Sequence, residues 1–230
     1  MARATTSATT AASSVAPASR SAPAGAGAAR QRAAREGKER AIRSHAERLF
    51  AQFGFEGTSL EGIAQAAGMS RHSLLYYYAS KEDLYRKVLD DVMDQWLASM
   101  GAISASDSPE QALSAYIAAK LRFSRDQPYG SQVFTREVIA GAPRYKDAIE
   151  KRVTPVLRED LKTLEKWARQ KRIRRIDFTH LMFLIWSATQ AYADLAPQFT
   201  LFLGKKRLDQ KDFDAAGTML TQLVLAGLRP

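Results

Sequence analysis

The segment 58–81, TSLEGIAQAAGMSRHSLLYYYASK, admits very few local shapes. Leu60, Ile63, Ala64 and Ala67 recur at i, i+3, i+4 and i+7, which places one apolar stripe on a short helix. Thr58 followed three residues later by Glu61 predicts a capping box at its start. Gly68 can take positive φ at the helix end, and Ser70 is placed to cap a second helix from Arg71 to about Tyr78. A turn of about three residues sets two helices at a steep angle, the helix-turn-helix arrangement. The second helix crowds Arg71, His72, Ser73, Tyr76 and Tyr77 into two turns. So short a helix cannot bury both faces. Its exposed side fits a DNA major groove, with N-terminal residues at base edges and the tyrosine hydroxyls and Lys81 at phosphate. Short helix pairs with a glycine turn also occur throughout all-α proteins, so the segment alone leaves a purely structural pair open.

The flanking sequence supplies the rest of a small core. A helix is predicted from about Ala34 to Phe53, with Ile42, Ala46, Leu49, Phe50 and Phe53 on one stripe, and Gly54 stops it. Phe50, Phe53, Leu60, Ile63, Leu74 and Tyr78 would then fill the space between three helices. Ser80 is placed to cap a fourth helix whose Leu84, Val88, Leu89, Val92, Trp96 and Leu97 form a long apolar stripe. That helix leaves the head and joins it to everything after it. Ahead of them all, residues 1–33 are Ala, Ser, Thr, Pro and Gly with scattered arginines, a composition that cannot bury enough apolar surface to order itself. The net charge of +10 is weighted to this end: residues 1–81 hold eleven Lys/Arg against five Asp/Glu. Such a balance suits a polyphosphate partner, and an anionic membrane would attract it equally.

Downstream of Pro109 the pattern stays helical, with breaks expected at Gln127-Pro128, Gly141-Ala142-Pro143, Thr154-Pro155, residues 175–177, Ala196-Pro197 and Gly204. No alternating run argues for a sheet, so the fold class is all-α. The apolar helices 178–195 and 213–228 point to pairing with their copies in a homodimer, which suits a head that reads too little sequence alone. The basic run RQKRIRR at 169–175 is read as a solvated helix end. There is no cysteine, and His45, His72 and His180 lie far apart, so neither a metal centre nor a His-centred catalytic site is expected. No phosphate-binding loop with a preceding strand is present, and no cofactor is expected. The longest apolar run, LMFLIW at 181–186, is far short of the roughly 20 residues of a membrane span. A cytoplasmic chain is the expectation. An enzyme and a sequence-independent DNA binder are the rival classes.

The run FAQFGFEGTSLEGIAQAAGMSRHSLLYYYASKEDLY resembles the N-terminal domain of the TetR family of bacterial transcriptional regulators, over roughly residues 37–100. DVMDQWL, KLRFSRDQP, GAPRYKD and FLIWSATQAYADLAPQ are similar to its pyrimidine-utilisation branch, whose effectors are uracil and thymine. The resemblance implies a ligand-responsive regulator, a repressor by expectation, that binds a two-fold operator in double-stranded DNA as a homodimer. After the tail (1–33), which has no alignable counterpart in the family, the expected domains are a helix-turn-helix domain (34–80) and a helical effector-binding and dimerisation domain (81–230). The resemblance further implies phosphate contacts from Thr58, Tyr76, Tyr77 and Lys81, and base contacts from among Ser70, Arg71, His72 and Ser73. Tyr78 stands where Phe is usual in the family, and Ala79 where the pyrimidine branch tends to have Pro. For a small-molecule pocket, Trp96, Leu97, Phe134, Trp186 and Gln190 are the candidates. A flat base wants aromatic walls and an amide that both donates and accepts, and Gln190 follows Trp186 by one turn. Plain core is the competing account of each tryptophan.

Overall fold

The computed structural model describes Met1, residues 24–100 and residues 103–230, with side chains described from 27 to 98 and from 103 onward. Among the described residues there are ten helices and no strand. Residues Met1–Lys38 and Glu39–Pro230 form two compact units.

In the first unit the described part is the opening of helix α1 (Ala24–Gly57). It starts ten residues before the expected Ala34, so residues 24–33 of the expected disordered tail are helical. The physical reason is composition: alanine and arginine have the best intrinsic helix propensities, and Arg32 pairs with Glu36 one turn on at 3.1 Å. Residues 2–23 of that tail lie outside the described residues.

In the second unit, α1 is interrupted at Gly54, whose φ of 72° turns the chain. Ile42, Ala46 and Phe50 are buried as expected. Phe53 is not: it is 52 % exposed. The kink at Gly54 swings Phe55 into the core in its place, stacked on Phe50 at 6.1 Å and edge-on to Tyr85 at 5.0 Å. Helix α2 (Leu60–Ala66) and helix α3 (Arg71–Leu75) complete the head, with Ile63 and Leu74 fully buried between them and α1. Helix α3 stops at Leu75 rather than Tyr78, and Tyr78 folds back under it.

Helix α4 (Lys81–Met100) opens on the expected cap, the Ser80 hydroxyl accepting from the Asp83 N–H at 3.0 Å. Its Leu84, Val88, Leu89, Val92 and Trp96 are buried, each such side chain contributing roughly 1.5–3 kcal/mol of transfer free energy. Helix α5 (Pro109–Asp126) is the central strut, packed on α4, on α6 (Pro128–Ile139), on α8 (Phe178–Asp194) and on α10 (Gln210–Gly227). Helix α7 (Lys146–Arg169) runs straight through the break expected at Thr154-Pro155. Pro155 and Lys151 are both exposed, so the carbonyl that the missing N–H leaves unbonded lies on the solvent side. Between α8 and α10 lies a short helix, α9 (Ala196–Leu203), closed by Gly204 at φ 63°. Helices α8 and α10 are less covered than their composition predicts: Phe183, Leu184, Met219 and Leu223 are exposed.

Candidate nucleic-acid interface and effector site

The head presents α3 much as its sequence demands. Gly68 takes φ 68°, and the Ser70 hydroxyl accepts from the Ser73 N–H at 3.1 Å, so the helix begins at Arg71. Arg71, His72 and Ser73 are exposed side by side at that N-terminal end, and Tyr76 is 71 % exposed. Tyr77 is half-buried and packs against the core, its ring edge-on to Tyr76 at 5.4 Å. Tyr78 is buried, and its extra hydroxyl over phenylalanine is used: it donates to the Glu39 carbonyl at 3.2 Å and accepts from Arg43 at 2.9 Å. Arg43 in turn donates to Asp91 at 2.5 Å, tying α1 to α4.

The expected cap is corrected by the geometry, and two of the expected phosphate ligands are engaged within the fold of the free chain. Ser59, not Thr58, caps α2, its hydroxyl accepting from Gly62 N–H at 3.0 Å. Thr58 is only 4 % exposed and points the other way, its hydroxyl placed to donate to the Gly54 carbonyl at 2.7 Å and the Leu49 carbonyl at 3.1 Å. The Thr58 N–H bonds the Phe55 carbonyl at 3.4 Å rather than that of Gly54, and the Thr58 hydroxyl serves the Gly54 carbonyl instead. Lys81 also turns inward, donating to the Phe55 and Thr58 carbonyls at 2.9 and 3.0 Å. Both residues brace the joint between α1 and α2 and do not reach outward.

The effector candidates do come together. Trp96 lies 5.7 Å from Phe134 and 5.5 Å from Trp186, ring centroid to centroid, so α4, α6 and α8 each contribute one wall. Leu97 is partly buried beside them. The Trp186 indole donates to the Tyr116 hydroxyl at 2.6 Å. Gln190 lies one turn further along α8, its amide donating to the Ser131 hydroxyl at 2.5 Å and the Thr135 hydroxyl at 2.8 Å on α6. Thr135 donates onward to Asp194 at 2.8 Å, and burial raises that carboxyl above the ordinary range despite the bonds that lower it.

Sequence reasoning missed three members of this cluster. Tyr116 and Lys120 lie one turn apart on α5, and the Lys120 ammonium stands 3.8 Å above the Trp96 ring. Asp160 reaches in from α7 near enough to act on Tyr116. Lys120 and Asp160 are 2 % and 1 % exposed, and Lys120 Nζ and one Asp160 carboxylate oxygen have no hydrogen-bond partner. The signal was present: each interrupts an apolar stripe, Leu113-Tyr116-Ile117-Lys120-Leu121 on α5 and Val153-Asp160-Leu164-Trp167 on α7. Arg136 is exposed, while buried Glu137 faces away from the tryptophans, accepting from Tyr85 at 3.1 Å and from the Arg144 N–H at 2.6 Å. Among the described residues no group of three or more carboxylates and histidines converges as a metal site, and no helix is long and apolar enough to cross a membrane.

An all-helical chain with an exposed helix-turn-helix head and a separate polar-aromatic cluster in its body defines a helix-turn-helix transcriptional regulator. Residues 42–88 match the family described as bacterial regulatory proteins, tetR family, and residues 89–230 match the YcdC-like protein C-terminal region. The chain belongs to the TetR family. It is 39 % identical over 193 residues to the HTH-type transcriptional regulator RutR of Escherichia coli K12, covering 84 % of this chain and 91 % of that one. It is 34 % identical over 110 residues to the regulator TcmR of Streptomyces glaucescens, 48 % of each chain. Among solved structures it resembles AibR in complex with isovaleryl coenzyme A and operator DNA, with a TM-score of 0.67 at 18 % identity over 82 % of this chain and 98 % of that one. A TetR regulator from Marinobacter aquaeolei VT8 gives a TM-score of 0.59 at 22 % identity, covering 84 % and 97 %. The chain is thus a transcriptional regulator and not an enzyme.

Proposed function

We propose that the protein is a cytoplasmic homodimeric repressor whose grip on a two-fold operator is altered by a pyrimidine base. The observation that carries the effector reading is the cluster of Trp96, Trp186, Phe134 and Gln190, drawn from three helices. A flat ring inserted among those indoles would stack on them, and the Gln190 amide would exchange its bonds to Ser131 and Thr135 for bonds to the ring edge. The resemblance of DVMDQWL and FLIWSATQAYADLAPQ to the pyrimidine-utilisation branch supports the same choice.

In this reading residues 34–80 are the reading head and 81–230 the effector and dimer region. Ser70, Arg71, His72 and Ser73 face the bases, and Tyr76 and Tyr77 the phosphates. Helix α4 carries Lys81 at one end and Trp96 about 22 Å away at the other, at 1.5 Å per residue. Helix α6 offers a second route, since Thr135 touches the Gln190 network and Glu137 on the same helix holds Tyr85. A ligand that breaks the Gln190 bonds frees α6 to shift, and Tyr85 passes that shift to Phe50 and Phe55 in the head.

Titration of uracil and thymine against the protein, followed by tryptophan fluorescence with purines and amino acids as controls, tests the effector. Saturable quenching by pyrimidines alone is expected. A response only to another class, acyl-coenzyme A for example, would replace the effector and leave the regulator. Coupling must be reciprocal: the factor by which ligand weakens DNA is the factor by which DNA weakens ligand.

A further inference from the structure

We propose that a cleft at the joint between head and body is a second small-molecule site, taking an amphipathic carboxylate whose anionic end pairs with Arg136. The site is separate from the tryptophan cluster, and the proposal does not rest on the pyrimidine reading.

The cleft measures about 780 Å³, within the roughly 300–1,000 Å³ of small-molecule sites. Its walls come from the end of α1 around the Gly54 kink, from α6 and from the junction of α8 with α9. Three large apolar side chains line it while standing open to water: Phe53 at 52 %, Ile139 at 80 % and Leu195 at 46 % exposure. Apolar groups scattered singly over a surface need no explanation. Three of them lining one cleft, each from a different part of the chain, are what the hydrocarbon of a ligand would cover.

The charges in the cleft define the other end of the occupant. Glu137 is held by Tyr85 and the Arg144 N–H, Asp194 accepts from Thr135, and Arg144 is taken by Glu56 and the ring of Phe55. Arg136 differs from these. It is exposed and forms no hydrogen bond or ion pair among the described residues. Its guanidinium lies beside the kink, 3.9 Å from where a β-carbon on Gly54 would stand. A guanidinium keeps its proton at any working pH, so the charge is always available. Flanked by hydrocarbon, its fork suits a carboxylate, which it meets through two parallel hydrogen bonds. With Arg144 already engaged, Arg136 is the cation left in this cleft among the described residues, which fits one negative charge better than two. An occupant here touches Phe53 of the head and Ile139 and Leu195 of the body at once, and so is placed to fix one against the other.

Octanoate, octanamide and hexanoate are titrated against the full chain by isothermal calorimetry, then against R136Q and I139S. The parent is expected to bind octanoate saturably. Octanamide, the same chain without the charge, should bind at least about 10-fold more weakly, and hexanoate about 4-fold more weakly for each methylene it lacks. R136Q is expected to lose about 10-fold for octanoate and to hold octanoate and octanamide alike. I139S should weaken all three probes together. Both side chains are exposed, so both variants should melt and sediment like the parent. Equal binding of octanoate and octanamide by the parent, an octanoate affinity unchanged in R136Q, or no saturable binding of octanoate overturns the inference. An I139S chain that no longer self-associates would put a second copy in the cleft and overturn it as well. Uracil titrated alongside fails or succeeds independently: its failure removes the pyrimidine reading and leaves an octanoate site that depends on Arg136 standing.

Discussion

Lys81 donates to the Phe55 carbonyl at 2.9 Å while its ammonium lies 4.3 Å from the centre of the Phe55 ring. The Arg144 guanidinium sits 3.7 Å from the centre of the same ring, and Arg144 also bonds Glu56 at 2.7 Å. Phe55 is therefore met by a lysine from the start of α4 and an arginine from the turn before α7. These contacts join the head to the body next to the kink of α1 at Gly54.

We predict that Lys81 and Thr58 act on DNA by positioning. K81M and T58V should each weaken operator binding, and T58V should also lower stability by roughly 1–2 kcal/mol, because two α1 carbonyls lose their donor. Neither change removes a phosphate contact. The slope of log K against log salt should stay that of the parent, whereas loss of one true phosphate contact reduces it by about 0.9. Filter binding at several salt concentrations distinguishes the two, and a reduced slope for K81M would return Lys81 to the phosphate.

Arg71 is the exposed cation at the N-terminal end of α3, where its fork can meet the O6 and N7 of a guanine. R71A should cost about 1–3 kcal/mol on the operator and relax preference at one base position per half-site. Selection from randomised duplexes reads this directly. A uniform loss across all sequences would make Arg71 a backbone ligand.

The head was legible in the sequence because its signals are local. Gly68, Ser70 and Ser80 each dictate one turn of chain, and all three behave as their chemistry requires. Thr58 misled because Thr-x-x-Glu fits a capping box equally whether its hydroxyl looks forward to α2 or back to α1. Only the kink at Gly54, a tertiary matter, makes it look back. The same kink exchanged Phe53 for Phe55 in the core. In the body, Trp96, Phe134, Trp186 and Gln190 stood out because their residue types suit a flat ligand, and the fold brings the three rings together. Lys120 and Asp160 escaped because a charge on an apolar stripe is ordinarily at a helix edge, and nothing within one helix tells that α4, α7 and α8 close over it.

Glu137 on α6 holds the Tyr85 hydroxyl and the Arg144 N–H at once, and the proposed route from α6 to the head runs through it. Burial and this carboxylate together raise the Tyr85 phenol above its ordinary range, so the hydroxyl stays a donor at any working pH. Y85F keeps the ring against Phe50 and removes only the bond. It should leave operator affinity within a few-fold while cutting the effector's influence on that affinity, a coupling term typically of 1–3 kcal/mol. Operator affinity measured with and without effector in parent and variant gives the number, and an unchanged ratio would take Tyr85 out of the route.

Leu184 and Leu223 are 61 % and 63 % exposed and border an apolar groove of about 280 Å³ between α8 and α10. Large apolar side chains left in water on adjacent helices are what a second copy of the chain would cover in a two-fold dimer. L223E should shift sedimentation from dimer to monomer and abolish tight operator binding while the helical content stays. A variant that remained dimeric would move the interface elsewhere.

Asp160 gives a dependence on pH that can be isolated. Burial raises its carboxyl from the ordinary value near 3.8 to about 7, with no charge partner to offset it. Between about pH 4 and pH 7 the unfolded chain has lost this proton while the folded chain keeps it, so the folded state binds more protons. Stability from this group therefore falls as pH rises across that window and is level above it, where both states are ionised. A shift of that size corresponds to at most roughly 4 kcal/mol. D160N does not titrate, so the difference in urea-unfolding free energy between D160N and the parent should grow in the variant's favour from pH 5 to pH 8. Other carboxylates, and Lys120 with its opposite shift, cancel in that difference. A constant difference would mean that Asp160 is already ionised at pH 5, its unbonded oxygen then facing a donor or water that keeps the charge.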